Sequence, residues 1–209
     1  MPTTGLHTHH HHDLPTSGAA LTSVAVSATL HCLIGCAIGE IAGMAIGTAL
    51  GFSSSATVVL SVALAFLFGY GLTSLPLLRA GLALGAVIPI ALASDTFSIA
   101  VMEIVDNAVI LAVPGAMEAG LGSLLFWGAL AFSLSVAFVA AVPVNRWLIG
   151  RGKGHAAVHR TGIHGGPDPR IVGAILAVAF TFGTAVLITE AFDSDEAGHA
   201  SAYVDAAVT

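Results

Sequence analysis

The sequence contains very little charge. Of its 209 residues only 9% are Asp, Glu, Lys or Arg, whereas 56% are hydrophobic, and the mean hydropathy is +0.93. A soluble domain of this length would carry many more charged side chains on its surface. Lys and Arg together number 6 against 12 Asp and Glu, which disfavours nucleic acid as a partner. The composition therefore predicts a membrane protein.

Cysteine is also scarce. The chain has two cysteines, Cys32 and Cys36, which is too few for a disulfide framework. Both lie in one apolar run, four residues apart, where helical Cβ atoms are about 5–6 Å from each other. A disulfide needs Cβ atoms about 3.5–4.5 Å apart. We therefore expect free thiols or metal ligands.

Long apolar runs separated by short polar segments fill most of the chain. A spanning helix needs about 20 apolar residues, so the sequence predicts an all-α polytopic transmembrane bundle at 21–190. Residues 80–93 are short and contain Pro89, which favours a re-entrant or interfacial helix. The remaining parts are a disordered His-rich tail at 1–20 and an acidic tail at 191–209. The five predicted spans are residues 19–52, 57–75, 95–113, 123–142 and 171–188.

The basic residues indicate the topology. All Lys and Arg residues except Arg79 fall within the loop at 143–170. Five spans place Arg79 and this loop on one side of the membrane, which the positive-inside rule assigns to the cytoplasm. We expect a multi-pass membrane protein with the N-terminus cytoplasmic and the C-terminus outside.

Two ridges run along the first predicted span. Residues four apart share a helix face, so Cys32, Cys36, Glu40 and Met44 form one ridge. The second ridge consists of glycines at positions 35, 39, 43 and 47. Small residues at this spacing let helices approach closely in membranes. The glycine ridge therefore predicts a close helix contact, either within the chain or with a second copy or a membrane partner.

The third predicted span carries Met102, Glu103 and Asp106. An ionised side chain inside a bilayer costs at least ~2.5 kcal/mol, so such residues usually serve as ligands, proton relays or counter-ions. The alternative is a hydrogen-bonded group that fixes packing. Glu40 lies eight residues past Cys32, and Glu103 lies eight residues past Asp95. Each is therefore expected roughly 12 Å inside the membrane. We expect these two residues, with Met102 and Asp106, at one level.

Histidine is concentrated in two hydrophilic segments. His7 and the run at 9–12 lie in the N-terminal tail, and three histidines lie in the basic loop, at positions 155, 159 and 164. Such tracts are typical of metal binding or of a disordered polar tail, including an added tag. On the predicted topology both segments face the cytoplasm.

The pattern of residues resembles a known family. It consists of His31-Cys32-x-x-Gly35-Cys36-x-x-Gly39-Glu40-x-x-Gly43-Met44, a second stretch from Asp95 to Asn107, and Pro143-x-Asn145-Arg146-Trp147. This pattern resembles the bacterial membrane family catalogued as domain of unknown function 4396, over roughly residues 25–160. The resemblance implies a small polytopic membrane protein loosely associated with copper-handling genes. It assigns no role to any residue.

The residue chemistry favours binding or transport of a soft metal ion. Thiolate and thioether sulfurs suit Cu(I), and imidazole also binds copper and zinc. We expect His31, Cys32 and Cys36 to capture Cu(I), or alternatively zinc, with a deeper site at Glu40, Met102, Glu103 and Asp106. Met44, roughly 18 Å beyond Cys32, would serve a second site on the path.

Three other interpretations stay open at this point. The chain is alternatively an ion or proton transporter that uses only the carboxylates, or a ligand-free structural subunit. A thiol–quinone oxidoreductase is disfavoured because Cys32 and Cys36 are four residues apart on one helix.

Overall fold

The computed structural model describes residues 17–154, Val158 and 169–208, with side chains up to 193. Within these ranges the chain forms five helices, each long and apolar enough to cross a membrane. The helices are α1 (Gly18–Leu50), α2 (Ser54–Arg79), α3 (Leu84–Ala112), α4 (Leu124–Gly150) and α5 (Pro169–Val208). The prediction of an all-helical, five-span membrane protein is confirmed. The N-terminal histidines and the loop histidines lie outside the described residues.

A tight turn joins α1 to α2 and makes them antiparallel. Gly51 ends α1 in the left-handed conformation with φ 66°, and its N–H donates to the carbonyls of Gly47 and Thr48. Glycine adopts this conformation without a Cβ penalty. Ser53 then caps α2, its side chain accepting from Ala56 N–H at 3.3 Å. The turn is therefore encoded locally by Gly51 and Ser53.

The glycine ridge of α1 packs directly against the backbone of α2. A Cβ placed on Gly35 would lie 2.6 Å from Gly69 Cα, closer than real atoms approach. The register is regular, with every fourth residue of α1 meeting every fourth residue of α2 in reverse order: Gly35 with Gly69, Gly39 with Ala65, Gly43 with Ser61, and Gly47 with Thr57. The prediction of a close helix contact is confirmed within the chain. Because α2 occupies the ridge, the expected use of this ridge by a second copy or a membrane partner is wrong.

Helix α3 is longer than the sequence predicted. It begins at Leu84 and runs without a break through Pro89 to Ala112. The prediction that residues 80–93 form a separate re-entrant or interfacial helix is therefore wrong. Pro89 lies near the start of α3, where its missing N–H removes a single bond to the preceding turn. The apolar residues on both sides of Pro89 then continue the same span.

Helix α5 packs on α4 at a close crossing. A Cβ on Gly183 would lie 2.6 Å from the carbonyl oxygen of Gly128, and the rings of Phe132 and Phe180 stack with centroids 5.2 Å apart. Only 17% of the most apolar window of α5 is buried within the bundle. Helix α5 is therefore a peripheral helix, whereas α1 contacts all four other helices.

The alternating helix directions divide the bundle into two ends. The N-terminal ends of α1, α3 and α5 share one end with the C-terminal ends of α2 and α4. Within the described residues all Lys and Arg side chains belong to this end or the segment beyond it: Arg79, Arg146, Arg151, Lys153 and Arg170. We call it the basic end. The opposite end, which holds the α1–α2 turn and the segment at 113–123, is the cavity end.

Candidate functional site

Three buried carboxyl groups cluster between α1 and α3. Glu40 of α1 lies beside Asp106 and near Glu103, both of α3. Glu103 is 5% exposed and Asp106 is 3% exposed, and Ser133 of α4 lies next to Asp106. Helices α1 and α3 run in the same direction. Residues one turn apart on each helix share a face, so the polar side chains of the two helices remain opposite each other along the interface. We call Glu40, Glu103 and Asp106 the carboxyl cluster.

The carboxyl cluster has few hydrogen-bond donors. Within the part of the chain that the structure describes, neither oxygen of Glu40, neither oxygen of Glu103 and not Oδ1 of Asp106 has a partner in hydrogen-bonding geometry. A buried ionised carboxylate without a donor or a counter-charge is strongly unfavourable. Both oxygens of Glu40 and of Glu103, and one oxygen of Asp106, therefore lie where an ionised carboxylate is unfavourable.

A cavity of about 140 Å³ reaches the carboxyl cluster from the cavity end. Glu40 and Asp106 form part of its wall, together with Met44, Asn107 and Met117. Its volume admits several water molecules, and its polar groups offer them partners. The cavity therefore extends from the cavity end to Glu40 and Asp106, whereas Glu103 lies behind them and does not line it.

A second polar group lies closer to the basic end. The thiol of Cys32 is 3.9 Å from Asp95 Oδ1, which also accepts a hydrogen bond from Ser94 Oγ at 2.7 Å. Asn145 of α4 donates from Nδ2 to Ser98 Oγ at 2.9 Å. These side chains are all 1% exposed or less. They bring α1, α3 and α4 together through polar contacts in the interior of the bundle.

The predicted metal ligands are placed in two separate regions. Cys32 lies with Asp95, whereas Cys36 lies beside Glu103. Both thiols are free and 1% exposed. His31 is half-buried, on the ridge that continues the glycines. In the ranges given above, no three or more His, Cys, Asp or Glu side chains form a group that could hold a metal ion.

The predicted deeper site is brought together, but at a different depth. Glu40 and Glu103 are neighbours, and Met102 is buried at 1% exposure in the adjoining core. The expected depth of Glu103 is wrong because α3 begins at Leu84 rather than at Asp95. Glu103 lies about 28 Å along the axis from Leu84 and about 13 Å from Ala112. The carboxyl cluster is therefore nearer the cavity end.

Sequence reasoning assigned no role to several residues of these two regions. Asn145, Ser98 and Thr29 are buried polar residues. Their position inside apolar spans is the one feature of the sequence that points to them. Hydropathy predicts Asp95 at the start of a span, whereas it is fully buried in the interior of α3. Met117 lies in the segment between α3 and α4, where hydropathy gives no indication of a cavity wall.

One of the comparisons with known proteins assigns the chain to a family. No curated protein and no solved structure matches the chain. A family model described as a domain of unknown function matches residues 23–154, which contain all of α2, α3 and α4 and most of α1. Both polar regions lie within the match, and α5 lies outside it. The chain belongs to this family of unknown function, DUF4396.

Proposed function

We propose that this protein carries a proton or a small cation across a membrane by way of the carboxyl cluster. The observation that supports the proposal is the donor-poor burial of Glu40, Glu103 and Asp106, two of which, Glu40 and Asp106, line a cavity at one end of the bundle. Buried carboxyl groups of this kind are stable when a proton or a cation compensates their charge. Binding and release of that charge is the elementary step of a transporter.

The orientation follows from the basic residues. We place the basic end in the cytoplasm, because Lys and Arg accumulate in cytoplasmic loops. The cavity then opens to the outside of a bacterial inner membrane, and an external ion reaches Glu40 and Asp106 through it. Since α1 starts at the basic end, the N-terminus is cytoplasmic in this proposal.

A flux assay on protein reconstituted in liposomes tests the proposal. Glu103→Gln keeps the size of the side chain and removes its charge, so proton or cation flux should fall at least tenfold. Glu118→Gln is the matched control, because Glu118 is exposed in the segment between α3 and α4. Equal flux for Glu103→Gln and Glu118→Gln, or no flux in the wild-type protein, would overturn the proposal.

Cu(I) is the second candidate for the transported ion, with zinc as its alternative. Met44 and Met117 both line the cavity, and the thiol of Cys36 lies beside Glu103, deeper in the bundle. Thioether and thiolate sulfurs are soft ligands that suit Cu(I). A path of sulfur ligands from the cavity to Cys36 and then Cys32 supports copper transfer as a specific form of the proposed transport.

A further inference from the structure

Asn145 connects three helices near the basic end. Its side chain is 1% exposed, and its Nδ2 donates to Thr29 Oγ1 of α1 at 2.8 Å and to Ser98 Oγ of α3 at 2.9 Å. A side-chain amide has two N–H groups, so both donors are used. We call Thr29, Ser98 and Asn145 the amide bridge. One side chain of α4 thus sets the spacing of α1 and α3.

The amide bridge lies next to the buried thiol–carboxylate pair. Cys32 follows Thr29 by one helical turn, and Asp95 precedes Ser98 by one turn, so all four face the same interhelical space. Thr29 Oγ1 itself donates to the Ala25 carbonyl at 2.7 Å. In this space the polar groups form hydrogen bonds with one another in the buried interior. The cavity end, in contrast, contains the cavity described above.

Two described residues after α4, Gly154 and Val158, pack against this end of the bundle. Gly154 is buried, and a Cβ placed on it would lie 3.1 Å from Leu148 Cβ and 3.7 Å from the Ser94 carbonyl oxygen. Val158, 8% exposed, packs in one apolar cluster with Leu77 and Val87. Gly154 and Val158 therefore pack against the ends of α2, α3 and α4 at the basic end.

We infer that the amide bridge is the closed gate of the transport path. This inference rests on the proposed function. The carboxyl cluster borders the cavity through Glu40 and Asp106, whereas Cys36, Ile99 and Met102, each at most 1% exposed, separate it from the basic end. Passage to the basic end requires Asn145 to release Thr29 and Ser98, so that α4 separates from α1 and α3. Hydroxyl and amide groups suit this role because water can replace their bonds when the gate opens.

The two native cysteines report on this gate. Cys32 lies at the amide bridge, and Cys36 lies one turn further toward the cavity end; the sequence has no other cysteine. A membrane-impermeant cationic methanethiosulfonate is added to the basic end of the full-length protein in oriented membrane vesicles. Asn145→Ala removes both bonds, so the modification rate of Cys32 should rise at least tenfold over wild type.

Two further variants separate gating from loss of fold. Ser135→Ala removes a buried hydroxyl of the same helix that, among the described residues, donates to the Ala131 carbonyl of its own helix, and it should leave the rate unchanged. Thr29→Val is nearly isosteric and removes one acceptor of the amide bridge, so it should give a smaller rise. Wild-type rates for folded Asn145→Ala and Thr29→Val would overturn the inference.

The wild-type protein provides a test that needs no variant. Its Cys32 should be protected from the reagent at the basic end, and modification as fast as that of an exposed thiol would overturn the gate. Ion flux is measured separately. If labelling contradicts the gate, a loss of flux in Glu103→Gln would still support the transport proposal. If the wild-type protein shows no flux, the transport proposal is overturned whatever the labelling rates are.

Discussion

Cys32 Sγ lies 3.9 Å from Asp95 Oδ1, although the two residues are 63 positions apart in the chain. The contact exists because α1 and α3 run in the same direction and present their polar ridges to each other. One to two turns further toward the cavity end, Cys36 lies beside Glu103 and Glu40 beside Asp106. The thiols and the carboxyl groups are thus parts of one interface rather than two independent sites.

The first prediction concerns the seam between α1 and α2. Gly39→Leu places a side chain against the backbone of α2, where even a Cβ would lie 2.7 Å from the carbonyl carbon of Leu64. Overpacking of this kind costs about 3 kcal/mol, and we expect a clear drop in thermal stability in detergent. Gly71→Leu is the matched control, because a Cβ on Gly71 meets nothing within 4 Å. Equal stability of the two variants would show that α1 and α2 can move apart without loss of stability.

Ile38→Leu changes a side chain of α1 that is 39% exposed, and it should also have only a small effect on thermal stability.

The second prediction concerns topology. Reporter fusions after Lys153 should report the cytoplasm, and fusions after Ser53 or Glu118 should report the outside, because Lys153 lies at the basic end and the other two at the cavity end. The helix directions require Ser53 and Glu118 to agree with each other. Agreement of Lys153 with Glu118 would contradict the arrangement of five spans.

The third prediction separates copper transfer from transport by carboxyl groups alone. The double substitution Cys32→Ser, Cys36→Ser replaces soft sulfur ligands by harder oxygen at nearly the same size. If the thiols bind Cu(I), high-affinity Cu(I) binding is lost in an equilibrium competition assay, and Glu103→Gln weakens binding less. If the carboxyl groups act alone, the serine variant keeps normal flux and Glu103→Gln is inactive. The N-terminal histidines are removed first, since a histidine tract is able to bind metal ions and would mask the difference. Absence of Cu(I) binding in the reduced, tail-deleted protein would eliminate copper.

The fourth prediction concerns the methionines of the cavity. Met44→Leu and Met117→Leu preserve side-chain volume and should change stability by less than about 1.5 kcal/mol. If thioether sulfur guides Cu(I) into the cavity, each variant lowers copper uptake by vesicles while proton flux is unchanged. Ile110→Leu is the control, because Ile110 lines the same cavity without sulfur. Copper uptake that is unchanged in both methionine variants would exclude a role for their thioethers.

Part of the candidate site could be predicted from the sequence. The placement of Glu40, Glu103 and Asp106 inside apolar spans marked them as functional candidates, and the structure brings them together. The depth of Glu103 in the membrane could not be predicted, because hydropathy alone did not place the start of α3 at Leu84. The role of Asn145 was also missed, since a single polar residue in an apolar span gives no information on the partner it reaches on another helix.

The sequence by itself determined the five spans, the common side of the basic residues and the glycine seam. These features depend on local hydropathy, on charge and on a four-residue spacing that one helix carries alone. Only the tertiary structure decided that α2 fills the glycine ridge, that Cys32 meets Asp95, and that Asn145 joins Thr29 to Ser98. The reason is physical: the register between helices results from the packing of side chains across the whole bundle, and no short stretch of sequence encodes it.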